Sequence, residues 1–266
     1  MPHAVRRQVI DLRRHSQQFR AVIDPELLLR AYSIGVFPMA DARDAGEIFW
    51  VEPKRRAILP IDGFRLSRSL RKTLRSGTFA VTRDAAFAEV LRRCAERDET
   101  WINREIEASS VELHRAGHAH SIECWHEGEL VGGLYGVRLG AAFFGESMFS
   151  AMRDSSKVAL AWLVARLKVG GFTLLDCQFM TEHLKSLGAV EVDQKDYLVE
   201  LSAALGGEAL SALGLEGAAV SGAAARPAAG AGEFAALDRL LSADPARTVD
   251  SPASGCVIAQ LLVQTS

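Results

Sequence analysis

The chain has 266 residues, 48% of them hydrophobic and 24% charged, enough for one large or two small globular domains with a real core. Its net charge of −2 excludes a uniformly basic nucleic-acid binder, although net charge is blind to how charge is distributed.

Residues 1–19 are polar and basic, without an apolar h-region, so they read as a loosely docked arm and not as a secretory signal. Asp24-Pro25 is an N-cap with proline at the first helical position, and Gly35 ends that helix. Phe37-Pro38 and residues 50–53 read as aromatic and proline loop punctuation, followed by a short apolar strand at 57–61. Residues 67–75 form a short helix carrying Arg68, Arg71, Lys72 and Arg75 with no acid among them, a local patch that keeps RNA in play. A strand at 78–82 follows. Asp84 then caps a helix bearing Phe87, Val90 and Leu91, and a further helix at 104–116 is closed by Gly117.

The most β-like stretch comes next: 120–125, 130–137 and 141–149, with turns at Glu127-Gly128 and Leu139-Gly140, predict a three-stranded antiparallel meander. Its apolar run is broken by glycines and Arg138, so it does not reach the roughly 20 apolar residues of a membrane span. A strongly amphipathic helix is predicted at 155–169, a buried strand at 172–176, and helices at 181–187 and 196–205. Beyond Gly206, Ala, Gly and Ser dominate to about Gly232, and 256–263 reads as an apolar strand. The predicted class is α+β: an N-terminal arm and small α/β lobe (1–61), a catalytic domain (62–205) and an Ala/Gly-rich extension (206–266).

Meander, long helix, strand, helix is the order of GNAT-like acyltransferase folds. The turn that would hold the pyrophosphate of coenzyme A there is Ala151-Met152-Arg153-Asp154-Ser155-Ser156, with no glycine and one acid. Backbone amides are poorly placed to cradle phosphate in such a turn, so coenzyme A is not the expected donor. Cys94, Cys124, Cys177 and Cys256 form no C-x-x-C pair, which argues against a zinc cluster or disulfide framework and fits a reducing cytoplasm. His114, His118 and His120 have a ligand-like spacing but no fourth ligand cluster, so no metal is expected.

Several blocks in this order carry a resemblance: Tyr32-Ser33-Ile34-Gly35-Val36-Phe37-Pro38, Phe49-Trp50, Ser67-Arg68-Ser69, Thr100-Trp101-Ile102, Leu113-His114 and Gly117-His118-Ala119-His120-Ser121-Ile122-Glu123. The densest are Leu130-Val131-Gly132-Gly133-Leu134-Tyr135-Gly136-Val137, Phe144-Gly145-Glu146-Ser147-Met148-Phe149-Ser150 and Leu175-Asp176-Cys177-Gln178. Together they resemble the bacterial leucyl/phenylalanyl-tRNA–protein transferases. The resemblance implies transfer of Leu, Phe and also Met from aminoacyl-tRNA to acceptor proteins beginning with Arg or Lys, which marks them for degradation. It implies a cytoplasmic enzyme without cofactor, metal or membrane partner. A transferase using the same donor on a non-protein acceptor, such as a peptidoglycan precursor, is the competing reading; the families that do this carry two tandem GNAT-like units.

By position, the resemblance puts Asp176 and Gln178 at the reaction centre. Their own spacing points both side chains to one face of an extended segment, and a helix cap beside a solvated amide would fit it equally. An acceptor α-amine of pKa about 8 is roughly a tenth to a fifth neutral at pH 7, and a carboxylate near 4 is a poor base for an ammonium. Asp176 is therefore expected to orient the amine and to take its proton as the N–C bond forms, when that nitrogen has become much more acidic, and Gln178 to fix the amine or the carbonyl. Glu146, in an otherwise apolar strand, needs a partner: a nearby arginine, or the polar groups of the pocket, Gln178 among them. The resemblance assigns Leu134, Phe143, Met148 and Leu175 to the donor side-chain pocket, Trp50 and Trp101 to the 3′-terminal adenosine, and Arg68, Arg71, Lys72 and Arg75 to acceptor-stem phosphates. On residue type alone these are core, packing tryptophans and a solvated helix face. Two departures from the family pattern are Ser110, where an aromatic is common, and Met39, where Phe-Pro-Trp is commoner.

Overall fold

The computed structural model describes residues 7–8, 22–97, 99–212, 232–242 and 252–263; the expected N-terminal arm and most of the low-complexity stretch lie outside them. Helix α1 (Pro25–Ser33) starts as its sequence dictates, with the Asp24 carboxylate accepting from the backbone N–H groups of Glu26 and Leu27 at 2.8 and 3.2 Å. The two segments expected as loops are instead strands β2 (Phe37–Met39) and β3 (Phe49–Val51), which join β1 (Arg7–Gln8) in a small sheet of order β1-β3-β2. Pro38 is tolerated there because β2 is an edge strand.

The main sheet is built from β4 (Arg55–Ile58), β5 (Ala80–Arg83), β6 (Ala119–His126), β7 (Glu129–Leu139), β8 (Ala142–Ser150), β9 (Leu174–Gln178) and β10 (Val190–Asp193). Its order is β10-β4-β9-β8-β7-β6-β5, and every pairing is antiparallel except β8 with β9. That parallel pair requires a crossover, supplied by α5 (Ser155–Val169). β4 sits inside this sheet, so the sheet runs across the expected 61/62 boundary.

One face of the sheet is covered by α1, α3 (Phe87–Ala95), α4 (Arg104–Arg115) and α7 (Gln194–Ala212), around a core that includes Tyr32, Leu91, Leu113 and Leu201. The other face carries α2 (Arg68–Ser76), α5, α6 (Glu182–Ser186), α8 (Ala236–Ser242) and α9 (Pro252–Leu261), with Leu70, Leu163, Leu237 and Ile258 in its core.

Three local expectations are corrected. α5 is buried nearly all round and not one-sided, because α2, α8 and α9 cover its outer surface. Its one deep cation, Arg166, is neutralised by Asp238 of α8 and donates to the Phe234 carbonyl at 2.8 Å. The apolar run at 256–263 is helical: Ser254, Ile258 and Leu262 are buried at a spacing of four, and a short apolar run does not by itself distinguish helix from strand. Asp84 does not cap α3, whose N-cap is Ala86. Its carboxylate instead accepts from Ser121 N–H at 2.9 Å and pairs with His120 Nδ1 at 2.8 Å.

Candidate active site

The parallel pairing of β8 and β9 ends at Phe144 opposite Asp176. Beyond that point β8 continues along β7 while β9 stops at Gln178 and the chain turns away into α6, so the sheet opens between two neighbouring strands. A cavity of 410 Å³ occupies the opening, within the usual size of small-molecule sites.

Two bulges sit at its mouth. Tyr135 pairs with Ser147 and Gly136 with Gly145, which leaves Glu146 as the extra residue of β8. Ile58 pairs with Asp176 and Ala57 with Gln178, which leaves Cys177 as the extra residue of β9. Bulges redirect side chains out of strict alternation. Gln178 also takes a left-handed conformation with φ +62°, at a cost of about 1–2 kcal/mol for a residue with a Cβ.

That strained turn is held by side chains. Gln178 N–H donates to Asp176 Oδ1 at 2.7 Å, and Gln178 Nε2 donates to Glu146 Oε1 at 2.8 Å. The Tyr32 hydroxyl donates to the same Glu146 oxygen at 2.9 Å. Burial pushes the Glu146 carboxyl up to about 7, aided by the Asp176 charge and opposed by the bonds from Tyr32 and Gln178 and by the charge of Arg56. The Tyr32 phenol is driven far above its ordinary range by burial and by Glu146.

Asp176 is 0% exposed and does not line the cavity, which departs from the expected shared face with Gln178. The bulge and the left-handed turn break the alternation, so Asp176 turns into the core and Gln178 into the opening. There Asp176 meets Arg56, itself 1% exposed, and accepts from the Tyr197 hydroxyl at 2.9 Å. Burial alone would lower the ionisation of Arg56; Asp176 and Tyr197 reverse that and keep it cationic.

Leu134, Met148 and Leu175 line the cavity together with Leu160, Leu163 and Leu184. Phe143 does not: it is 0% exposed and its ring stacks on Phe234, with centroids 5.4 Å apart, in the core on the same face of the sheet as Leu134 and Leu175. Trp101 lines the cavity, whereas Trp50 is buried in β3 and contributes to the core; the position beside Trp101 in the wall belongs to Met39. Arg68, Arg71, Lys72 and Arg75 are exposed on α2 and form no ion pair with an acid among the described residues. The three histidines diverge: His114 stacks on Phe87 with centroids 4.1 Å apart, His120 holds Asp84, and His118 shares neither partner.

Sequence reasoning missed Arg56, Tyr32 and Tyr197, which hold the carboxylates, and Arg97 and His183 in the wall. The one signal for Arg56 was a cation at the edge of an apolar strand, which demands a buried acid.

A family model described as Leucyl/phenylalanyl-tRNA protein transferase matches residues 58–202, and one for the N-terminal domain of the same transferase matches 22–54. The chain belongs to this family. Transferases so named from Rhizorhabdus wittichii and Novosphingobium aromaticivorans are 64% and 54% identical to it over 252 and 263 residues. Each alignment covers 92% of this chain, with 99% and 97% of the relatives. One from Zymomonas mobilis is 60% identical over 188 residues, 69% of this chain and 70% of the relative. The chain is thus an aminoacyltransferase of the leucyl/phenylalanyl-tRNA–protein type. Both family matches end before α8 and α9, which pack on α5 and α2. In α4 the Ser110 hydroxyl donates to the Ile106 carbonyl at 2.8 Å and lies beside the buried Tyr135 hydroxyl.

Proposed function

We propose that this transferase moves Leu, Phe or Met from aminoacyl-tRNA to proteins beginning with Arg or Lys, forming a peptide bond that marks them for degradation. The observation that carries the reading is the Glu146–Gln178 pair on the wall of an otherwise largely apolar cavity. Leu134, Met148 and Leu175 would enclose the donor side chain. An apolar pocket separates one methylene by only about 1–3 kcal/mol, so Leu, Phe and Met are tolerated together.

Gln178 would hold the ester carbonyl through its amide while the acceptor amine lies against Glu146. The amine nitrogen attacks the carbonyl, the C–N bond forms, and the ester C–O bond breaks. Glu146, with its carboxyl near 7, is matched to take the proton from nitrogen and return it to the departing ribose oxygen. Its charge also suits a cationic acceptor. Asp176 is kept from this step by Arg56 and acts as a positioning residue for Gln178. The donor ester is already activated, so positioning supplies most of the acceleration.

Trp101 would stack on the terminal adenine, a contact worth about 1–3 kcal/mol, and the α2 cations would meet acceptor-stem phosphates by charge and shape. The opening of β8 from β9 supports a GNAT-like catalytic domain. Its β8–α5 turn packs on β7 through the Ser155 hydroxyl, which donates to the Val131 carbonyl at 2.9 Å. Among the described residues no helix is long and apolar enough to cross a membrane. Transfer of labelled Leu, Phe and Met from tRNA to peptides beginning with Arg, Lys, Asp or Glu tests the reading. Label is expected in the Arg and Lys peptides alone, and label in the acidic peptides or in none overturns it.

A further inference from the structure

A second, open hollow of 500 Å³ adjoins the active-site cavity and shares Arg97, Met148 and His183 with it. Its walls are the end of α3, the end of β8 with the turn after it, and the start of α5 and α6. The charges there are unbalanced. Arg93 and Arg97 line it, and the one acid in the wall, Glu96, is engaged by Arg92 and lies 3.9 Å from Arg93. Lys157 in the first turn of α5 and Arg153 on the turn before it both lie near Asp154, at 3.0 and 3.7 Å. Cations therefore outnumber acids around the rim. His183 Nε2 is buried without a hydrogen-bond partner among the described residues. Phe149 offers an aromatic face in the same wall, with the Arg93 guanidinium 5.4 Å above its ring.

We propose that this hollow binds the phosphodiester strand of the donor RNA immediately before its esterified adenosine, with Arg93 and Arg97 on the phosphates. The inference rests on the functional reading above and extends it to the path of the donor. Cations beside an aromatic face are the usual equipment for unpaired nucleic acid. An acceptor with a cationic N-terminus is repelled from this mouth and drawn to Glu146, so the two substrates approach the cavity from different sides. Sharing Arg97 between the two hollows gives the strand a continuous route to the ester.

The test compares two donors, the full aminoacyl-tRNA and the same amino acid esterified to adenosine alone, for the unmodified enzyme, Arg93→Ala and Arg93→Lys. KM for aminoacyl-tRNA is expected to rise roughly tenfold in Arg93→Ala, and its log–log salt dependence to flatten by about 0.7. The adenosine ester should be used unchanged, and Arg93→Lys should recover most of the loss. Equal loss with both donors, or no loss with either, overturns the proposal. Equilibrium binding of uncharged tRNA to the same proteins separates the two readings. Arg93-dependent, salt-sensitive binding without any transfer by the unmodified enzyme upholds the hollow and overturns the proposed activity, whereas binding indifferent to Arg93 overturns the hollow alone.

Discussion

Arg56 grips both oxygens of Asp176, with Nε 2.9 Å from Oδ1 and Nη2 2.6 Å from Oδ2. The guanidinium lies over the rings of Phe37 and Tyr197, 4.6 Å from each centroid, and donates to the Gly35 carbonyl at 3.0 Å. One buried cation thus ties the turn after α1 to β2, β4, β9 and α7 behind the reaction centre. Removing one member of such a pair leaves the other charged and unsatisfied in the core. Asp176→Ala is expected to lose about 3–5 kcal/mol of stability, and Arg56→Met with Asp176→Leu to regain much of it. Chemical denaturation checks this; a loss below about 1 kcal/mol in Asp176→Ala would show that the pair does not organise the site.

Glu146 gives a pH dependence of definite sign. Its carboxyl is raised from 4.5 to about 7, first by burial. Between those values the folded chain keeps a proton that the unfolded chain has released, so stability falls as pH rises through the window. The penalty is complete above about 7 and amounts to about 3 kcal/mol. In Glu146→Gln the side-chain carbonyl can still accept from Tyr32 and Gln178, because both bonds go to one oxygen. The variant should be the more stable protein above neutrality and show a flatter stability profile between about pH 5 and 7. Parallel profiles for the two proteins would refute the assignment. Transfer should fall sharply, since the amide takes no proton.

Gln178 is the polar group most directly presented to a bound ester. Gln178→Ala removes one donor and should lower kcat by roughly 10²–10³ with KM little changed, as for other single donors to a developing oxyanion. Gln178→Glu puts a carboxyl against Glu146 and should raise the pH at which Glu146 ionises. A kcat within about threefold of the unmodified enzyme in both variants would remove Gln178 from the mechanism.

The tryptophans separate packing from binding. Trp50→Ala empties a core position and should cost about 3–5 kcal/mol, with KM for the donor unchanged in the protein that folds. Trp101→Ala, in the cavity wall, should leave stability nearly intact and raise donor KM by roughly tenfold, the worth of one stacked base. The reverse pattern in melting and kinetics would return Trp50 to the adenosine.

The meander, its turns and most of the helices around it were legible because periodicity and Gly turns are local signals, whereas the edge strand β10 was not among the predicted elements. The apolar wall was legible only in part. Leu134, Met148 and Leu175 reach the cavity, but Phe143 and Met148 are brought to the same side of the sheet by the bulge at Glu146, and Phe143 is spent on the core there. A bulge is set by the register of two strands, which one strand's pattern does not carry. Arg56 and Tyr197 escaped notice for a related reason. They lie 120 and 21 residues from Asp176, and nothing local announces a partner at that distance. The small sheet of β2 and β3 was hidden by Pro38, whose edge position makes it harmless.

The C-terminal helix gives the last test. α9 approaches α2 so closely that a Cβ at Gly255 would lie 1.8 Å from the Leu74 carbonyl oxygen, a backbone atom that cannot yield. Glycine inside a helix costs about 1 kcal/mol relative to alanine, and here it permits contact between the two backbones, with Ile258, Ala259 and Leu262 in the core formed with Leu70 and Leu74. Gly255→Val should force α9 off and expose the apolar side of the helix whose other side carries Arg68, Arg71, Lys72 and Arg75. The expected outcome is a loss of about 1–3 kcal/mol, faster amide exchange along α2, and a higher KM for aminoacyl-tRNA with kcat on the adenosine ester retained. Unchanged exchange in α2 would mean that α9 only rests on the surface, and that the basic helix holds its place without it.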